Sequence, residues 1–165
     1  VYMTAGAYGG EISQICQSVE VMSMNGDLTV YEASEMDFAY RHSRLEDEQG
    51  IVVGATFKLK KSSEDAVRLQ MQELMRRRKA SQPLELPSAG SAFKRPASGY
   101  AAALIDETGL KGFSVGGAAV SEKHAGFVVN LGGATACDVK TLLHEVSRRV
   151  FDRTGIRLEP EVRIW

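Results

Sequence analysis

The stretch Pro87-Ser88-Ala89-Gly90-Ser91-Ala92-Phe93-Lys94-Arg95-Pro96 sets a glycine, a hydroxyl and two adjacent cations between two prolines. Proline fixes φ at each end, and Gly90 lets backbone approach a ligand closely. Ser91 then offers a hydroxyl beside Lys94 and Arg95, which suits an anionic substrate that must receive a proton. Two other polar groupings accompany it, Tyr40-Arg41-His42-Ser43 and Glu159-Pro160-Glu161-Val162-Arg163. Arg41, always charged and fork-shaped, suits a carboxylate or an enolate. The plain alternative is a solvated loop in which Arg41 pairs Glu46 or Asp47, worth about 0–1 kcal/mol. Glu161, in a strand-like run that Pro160 marks as an edge, suits a partly buried general acid or a partner for Arg41. Its plain alternative is an exposed edge carboxylate paired with Arg163.

Gly6-Ala7-Tyr8-Gly9-Gly10 could cradle a pyrophosphate on backbone N–H groups. It matches neither the P-loop nor the Gly-x-Gly-x-x-Gly fingerprint, so taken alone it reads as a turn. Arg76-Arg77-Arg78-Lys79 closes a helical pattern, where cations complement the helix dipole. A phosphate-binding role for Lys79 is the second reading. His124 follows Lys123 in a polar loop, and His144 falls on the outer face of the last helix. Neither has metal-ligand spacing to a second histidine, and no metal site is expected.

The 165 residues suffice for one large or two small domains, and the formal net charge of −1 creates no global field for nucleic acid or an acidic membrane. An anion site must therefore be a local cluster. No apolar run approaches the roughly 18–20 residues of a membrane span. Residues 1–10 lack the basic start and apolar core of a secretory leader. Cys16 and Cys137 show no metal spacing; a disulfide is one reading and two reduced, partly buried thiols the plainer one, and a cytoplasmic location is expected.

The patterning predicts strands over 18–24 and 28–31 joined by Asn25-Gly26, then a strand over 51–59 whose apolar start suggests burial on both faces. Gly54 and Ala55 would admit something flat or bulky to that backbone. A helix begins at Ser62 or Ser63, with Val67, Met71, Leu74 and Met75 as its apolar stripe, and stops at Ser81-Gln82-Pro83. A domain boundary is placed there, giving domains over 1–80 and 81–165. The second opens with Ser91 in a loop. A short helix covers 100–107, strands cover 112–120 and 126–130, and a helix capped by Thr135 with Asp138 runs to Gly155. Residues 158–164 are expected to return as a strand. Without strict βαβ alternation, the fold class is α+β with a mostly antiparallel sheet in the second domain.

At this point the motifs Gly-Ala-Tyr-Gly-Gly-Glu, Tyr-Arg-His-Ser, Ala-Thr-Phe-Lys-Leu, the Pro87 to Pro96 stretch, Gly-Leu-Lys-Gly, Gly-Gly-Ala-Ala-Val-Ser-Glu-Lys-His-Ala and Leu-Glu-Pro-Glu-Val-Arg occur in one order. Together they closely resemble the UDP-N-acetylenolpyruvoylglucosamine reductase family, flavoenzymes of bacterial peptidoglycan synthesis. The likeness runs from Gly6 to the end. The short connection from Leu59 to Pro83 resembles the family's second structural type.

The resemblance implies that NADPH reduces bound FAD, that a hydride passes to the enolpyruvyl group of the UDP-sugar, and that the neighbouring carbon is then protonated. It implies that Arg41 binds the substrate carboxylate, Ser91 donates the proton, and Glu161 donates a hydrogen bond to the same carboxylate, for which its carboxyl must be protonated and hence buried. By the same likeness Gly6, Ala7, Tyr8 and Gly9 touch the flavin, with Ala55 and Thr56 on a nearby strand. Thr4 stands where asparagine is frequent. Lys79 aligns with a diphosphate-binding lysine. Lys94, Arg95 and His124 fall near the substrate, Arg95 replacing an asparagine common in the family. The family's N-terminal flavin lobe is expected upstream of Val1 as this chain's partner. On that expectation the first domain is the C-terminal part of the flavin domain and the second binds substrate. The alternative is a non-redox nucleotide-sugar binding module.

Overall fold

The structure, a computed structural model, describes residues 1–164. The chain divides into two compact units, Val1–Gln70 and Met71–Trp165. Helices and antiparallel sheets occur together, so the fold is α+β.

In the first unit, β1 (Gly6–Ala7) and β2 (Gly10–Glu11) form a small hairpin. A second antiparallel sheet follows, with β3 (Cys16–Ser23) between β4 (Leu28–Glu32) and β5 (Gly50–Phe57). Val19 faces Tyr31 and Ala55 across the sheet, and Val21 faces Thr29 and Val52. With Cys16, Met36 and Leu45 they make the core. Ser23 shapes the predicted turn: its hydroxyl accepts from the Asn25 and Asp27 amides, and Gly26 takes φ +90°. The expectation for β5 needs correction. It is an edge strand, and Ile51 and Val53 are 57% and 48% exposed, so it is buried on one face at most. An apolar run could not distinguish these cases, because burial depends on how many strands flank it.

Helix α1 (Glu64–Ser81) starts and stops as the sequence predicts, with the Ser63 hydroxyl accepting from the Ala66 amide. Its apolar stripe is not buried: Val67, Met71 and Met75 are exposed and no residue of α1 is buried. Intrahelical pairs line it instead, Arg68 with Glu64 and Glu73 with Arg76 and Arg77. Hydrogen bonds from Arg76 and then Arg77 bring the Glu73 carboxyl down to about 2.

The second unit is built on an antiparallel sheet ordered β6-β9-β8-β7, from β6 (Ser88–Ser91), β7 (Ser114–Val115), β8 (Ala118–Val120) and β9 (Phe127–Asn130). Helix α2 (Ala101–Glu107) and helix α3 (Ala136–Thr154) complete it. Ile105, Val120, Leu142, Val146 and Val150 are fully buried and anchor the core. The single strand expected over 112–120 is two, because Gly116 takes φ +53° and turns the chain. A Cβ on Gly117 would lie 2.5 Å from the Ala134 nitrogen and the Gly132 oxygen, so this turn packs directly on backbone. Residues 158–164 form no strand beyond an isolated bridge at Pro160.

Thr135 and Asp138 cap α3 reciprocally. The Thr135 hydroxyl accepts from the Asp138 amide at 3.1 Å, and the Asp138 carboxylate from the Thr135 amide at 2.9 Å. The Thr135 backbone bond, then its side-chain bond, hold the Asp138 carboxyl below its ordinary value. A depressed folded-state value means stability that is present above the unfolded-state pKa and lost as pH falls through the folded one. Asp138→Asn is therefore expected to lower Tm at neutral pH, with the deficit closing below about pH 4, the ordinary aspartate region. Tm measured against pH for both proteins checks this. A deficit that stays constant into strong acid would contradict it.

Candidate active site

Ser91 is the last residue of β6, not part of an open loop as expected. It pairs with Phe127 on β9. The next residue is held from both sides: the Ala92 amide donates to the Gly126 carbonyl at 2.8 Å, and the Ala92 carbonyl accepts from the Glu161 amide at 2.9 Å. A bridge from Phe93 to Pro160 and a bond from the Lys94 amide to the Glu159 carbonyl continue the contact. The segments carrying Ser91 and Glu161 are thus neighbours in one hydrogen-bonded ribbon. Ala92 and Phe93 root it in the core, while Ser91 is exposed and Glu161 half-buried.

Gly90 takes φ +93°, a conformation that disfavours any side chain, and a Cβ there would meet nothing within 4 Å. The approach to Ser91 is therefore open on that side. The Ser88 hydroxyl holds the irregular register by donating to the Val128 carbonyl and accepting from the Gly90 amide. An apolar pocket of about 400 Å³ adjoins this ribbon, lined among others by Pro87, Gly90, Ala92, Leu143 and Val162.

The cations of the motif have definite places. The Lys94 ammonium lies 2.5 Å from Glu159, although both side chains are substantially exposed. The Arg95 guanidinium stacks on Tyr100, 4.1 Å from the ring centre, and its Nε donates to the Gly99 carbonyl. In the β8–β9 connection, the buried Ser121 hydroxyl accepts from the Lys123 and His124 amides. The Lys123 ammonium donates to the Lys79 carbonyl at 2.6 Å, tying the end of α1 to this loop, while the Lys79 side chain is exposed. Nδ1 of His124 accepts from the Gly126 amide at 3.1 Å, and its ring meets Phe127 edge-on at 4.9 Å. Sequence reading missed Ser121 and Glu159. Ser121 carried a local signal, a hydroxyl two and three residues before the amides it binds. Glu159 carried none, because its partner lies 65 residues away.

The first unit holds Arg41 and the glycine-rich turn. Ala39 and His42 exchange backbone bonds around a two-residue turn, and Arg41 sits in it at φ +55°. The left-handed region is costly for a residue with a Cβ. The turn is tied to the N-terminal residues by Thr4, whose hydroxyl donates to the His42 carbonyl at 2.6 Å, and by buried Ser43, whose hydroxyl donates to the Tyr2 carbonyl at 2.7 Å. The Arg41 guanidinium lies 5.3 Å from the Tyr40 ring centre. His42 faces both Glu46 and Asp47.

The Gly6 to Gly10 motif forms the β1–β2 hairpin, with Tyr8 at φ +52° and Gly9 at φ +81°. This two-residue turn with both φ positive is exposed, and a Cβ at Gly9 would meet no atom within 4 Å. Such an open turn leaves its backbone accessible to close approach. Ala55 and Thr56 lie on the edge strand β5, opposite Val19 and Ser18. The room expected above Gly54 is taken by the Glu20 carboxylate, 2.9 Å from where a Cβ would stand. Burial raises the Cys16 thiol above its ordinary value, whereas Cys137 is exposed rather than partly buried; both are free thiols. No group of three His, Cys, Asp or Glu side chains among the described residues could hold a metal ion, and no described helix is long and apolar enough to cross a membrane.

Residues 82–165 match the family model described as UDP-N-acetylenolpyruvoylglucosamine reductase, C-terminal domain. The chain is 49% identical to the UDP-N-acetylenolpyruvoylglucosamine reductase of Pediococcus pentosaceus, over 99% of this chain and 55% of that protein. It is 44% identical to the protein of the same name from Caldanaerobacter subterraneus, over 99% of this chain and 54% of that one. A crystal structure of UDP-N-acetylenolpyruvylglucosamine reductase from Thermus caldophilus superposes with a TM-score of 0.81 at 40% identity, covering 99% of this chain and 58% of that chain. The chain spans about half the length of the curated relatives it matches.

Proposed function

The chain belongs to the UDP-N-acetylenolpyruvoylglucosamine reductase family, and from that premise we propose that it supplies the C-terminal half of an NADPH-dependent, FAD-containing reductase acting in the cytoplasm. Its substrate is the enolpyruvyl ether of UDP-N-acetylglucosamine and its product UDP-N-acetylmuramate, a peptidoglycan precursor. When bound, the flavin supplies a hydride equivalent, drawn from NADPH, to one carbon of the enolpyruvyl double bond. The exposed turn at Gly6, Ala7, Tyr8 and Gly9, with Ala55 and Thr56, would hold it, and the remaining half of the protein would complete that binding.

The chain's own residues do the rest. Arg41 grips the substrate carboxylate with a fork of N–H donors, and Glu161, half-buried rather than buried as the resemblance implies, hydrogen-bonds the same group. Charge that develops on the enolate is met by these hydrogen bonds, a type of contact worth about 3–4 kcal/mol each. Ser91 gives its hydroxyl proton to the carbon next to the one that took the hydride, and solvent restores that proton. The net change is two hydrogens on the former double bond. Lys94 and Arg95 attract the sugar nucleotide, and Lys79 its diphosphate. Lys94 must then exchange Glu159 for substrate, which a pair so exposed permits at small cost.

The observation that carries this reading is the ribbon in which Ala92 accepts from Glu161, keeping the segments of the proposed proton donor and the proposed carboxylate ligand side by side. The test uses the complete protein that carries this chain, with FAD, NADPH and the enolpyruvyl sugar nucleotide. Mass spectrometry is expected to show a product two hydrogens heavier than the substrate. Binding of the nucleotide sugar without consumption would establish the non-redox alternative instead. The isolated 165-residue chain is expected to bind FAD weakly; a stoichiometric flavin spectrum from it would contradict the split of the flavin site between two halves.

A further inference from the structure

We propose that His124 is a positioning residue, which holds Ser91 and Glu161 at their mutual spacing without touching substrate. The proposal rests on the reading of those two residues given above. Three bonds in series lead from the ring to the site. The Gly126 amide donates to His124 Nδ1 at 3.1 Å. The Gly126 carbonyl accepts from the Ala92 amide at 2.8 Å, and the Ala92 carbonyl accepts from the Glu161 amide at 2.9 Å. Because Nδ1 accepts, the ring proton is on Nε2, and the ring orientation is set by backbone. A second path reaches Ser91: the Phe127 amide donates to the His124 carbonyl, the His124 ring packs on Phe127, and Phe127 pairs with Ser91.

Packing closes the arrangement. A Cβ on Gly126 would lie 3.2 Å from both Ala102 Cβ and His124 Cε1, so the imidazole and α2 fill the space that any side chain at this position would need. Gly126 is held through its amide by His124 and through its carbonyl by the Ala92 amide, so the carbonyl anchors the Ser91-Ala92 peptide. Without the imidazole, a partly buried N–H loses its acceptor and residue 126 gains freedom. That freedom passes directly to Ala92 and Glu161.

The two imidazole nitrogens can be separated by substitution. Asparagine places Oδ1 where Nδ1 stands, and an asparagine oxygen accepting from the amide two residues on is a common turn in its own right. Glutamine reaches the Nε2 position instead. In the complete protein, H124N is expected to keep kcat within about threefold, while H124Q and H124A lose on the order of 100-fold through misplacement of the reacting groups. The rate of flavin reduction by NADPH is expected to stay unchanged in all three, and KM for the enolpyruvyl sugar to stay native in H124N and to rise in H124Q and H124A, where Glu161 is displaced. Hydrogen exchange at the Ala92 and Glu161 amides is expected to accelerate in H124Q and H124A and to return to the native rate in H124N. Rescue by glutamine but not asparagine, with KM raised in H124N, would overturn the proposal and make Nε2 a substrate contact. Native kcat and native exchange in H124A would also overturn it. If the native protein itself failed to consume the substrate, the assigned reaction would fall, and the exchange rates would still decide whether His124 secures the ribbon.

Discussion

Ser91→Ala is expected to leave reduction of the flavin by NADPH at its normal rate and to slow turnover of the enolpyruvyl sugar by about 10²–10⁴-fold, the range for loss of a positioned proton donor. The two halves separate because the first needs no proton at the substrate carbon. Stopped-flow absorbance follows flavin bleaching in the absence of substrate, and its return on mixing with the sugar nucleotide reports the second half. Ser91 is exposed at the end of β6 and contributes nothing to the core, so the alanine variant should fold normally. The β6–β9 pairing and both bonds of Ala92 are made by backbone and survive the change. Normal rates in both halves would remove Ser91 from the reaction.

Arg41→Gly is expected to slow turnover by about 10²–10³-fold while changing the stability of the fold little. At φ +55° an arginine pays roughly 1–2 kcal/mol that a glycine does not. Against this stands loss of the stacking on Tyr40, worth about 0.5–1 kcal/mol at an exposed site, and the greater freedom of glycine in the unfolded chain. These terms nearly cancel, so Tm should change little. Turnover, by contrast, loses a preorganised cation at the developing enolate, about 10²–10³-fold. A residue kept in a costly backbone conformation is the pattern of a site retained for chemistry. Calorimetry beside a steady-state assay reads both quantities. A large fall in Tm with activity retained would make Arg41 a structural residue of the Ala39–His42 turn.

What could be read from the sequence was whatever is decided locally. The Thr135–Asp138 cap, the Asn25-Gly26 turn and the stop at Gly155 depend on residues a few positions apart, and each occurs where predicted. The burial of β5 and of the α1 stripe depends on what covers them, and no pattern within the segment carries that information. The same holds for residues 158–164. Their alternation of apolar and charged residues reads as a strand, but they make only an isolated bridge, Pro160 to Phe93 just beyond β6, and Pro160 has no N–H to continue a ladder. The site was legible as residue types and motif order. Its mechanics were not: the double hold on Ala92 and the Lys94–Glu159 pair join segments remote in sequence.

The most direct measurement is a crystal structure of the complete protein with FAD and the enolpyruvyl sugar nucleotide bound. Arg41 and Glu161 should both hydrogen-bond the substrate carboxylate, with Ser91 Oγ about 3–3.5 Å from the carbon that is protonated, the spacing of a near-attack geometry. A substrate carboxylate held by other residues, or a Ser91 hydroxyl turned away from that carbon, would contradict the joint role assigned to these three side chains.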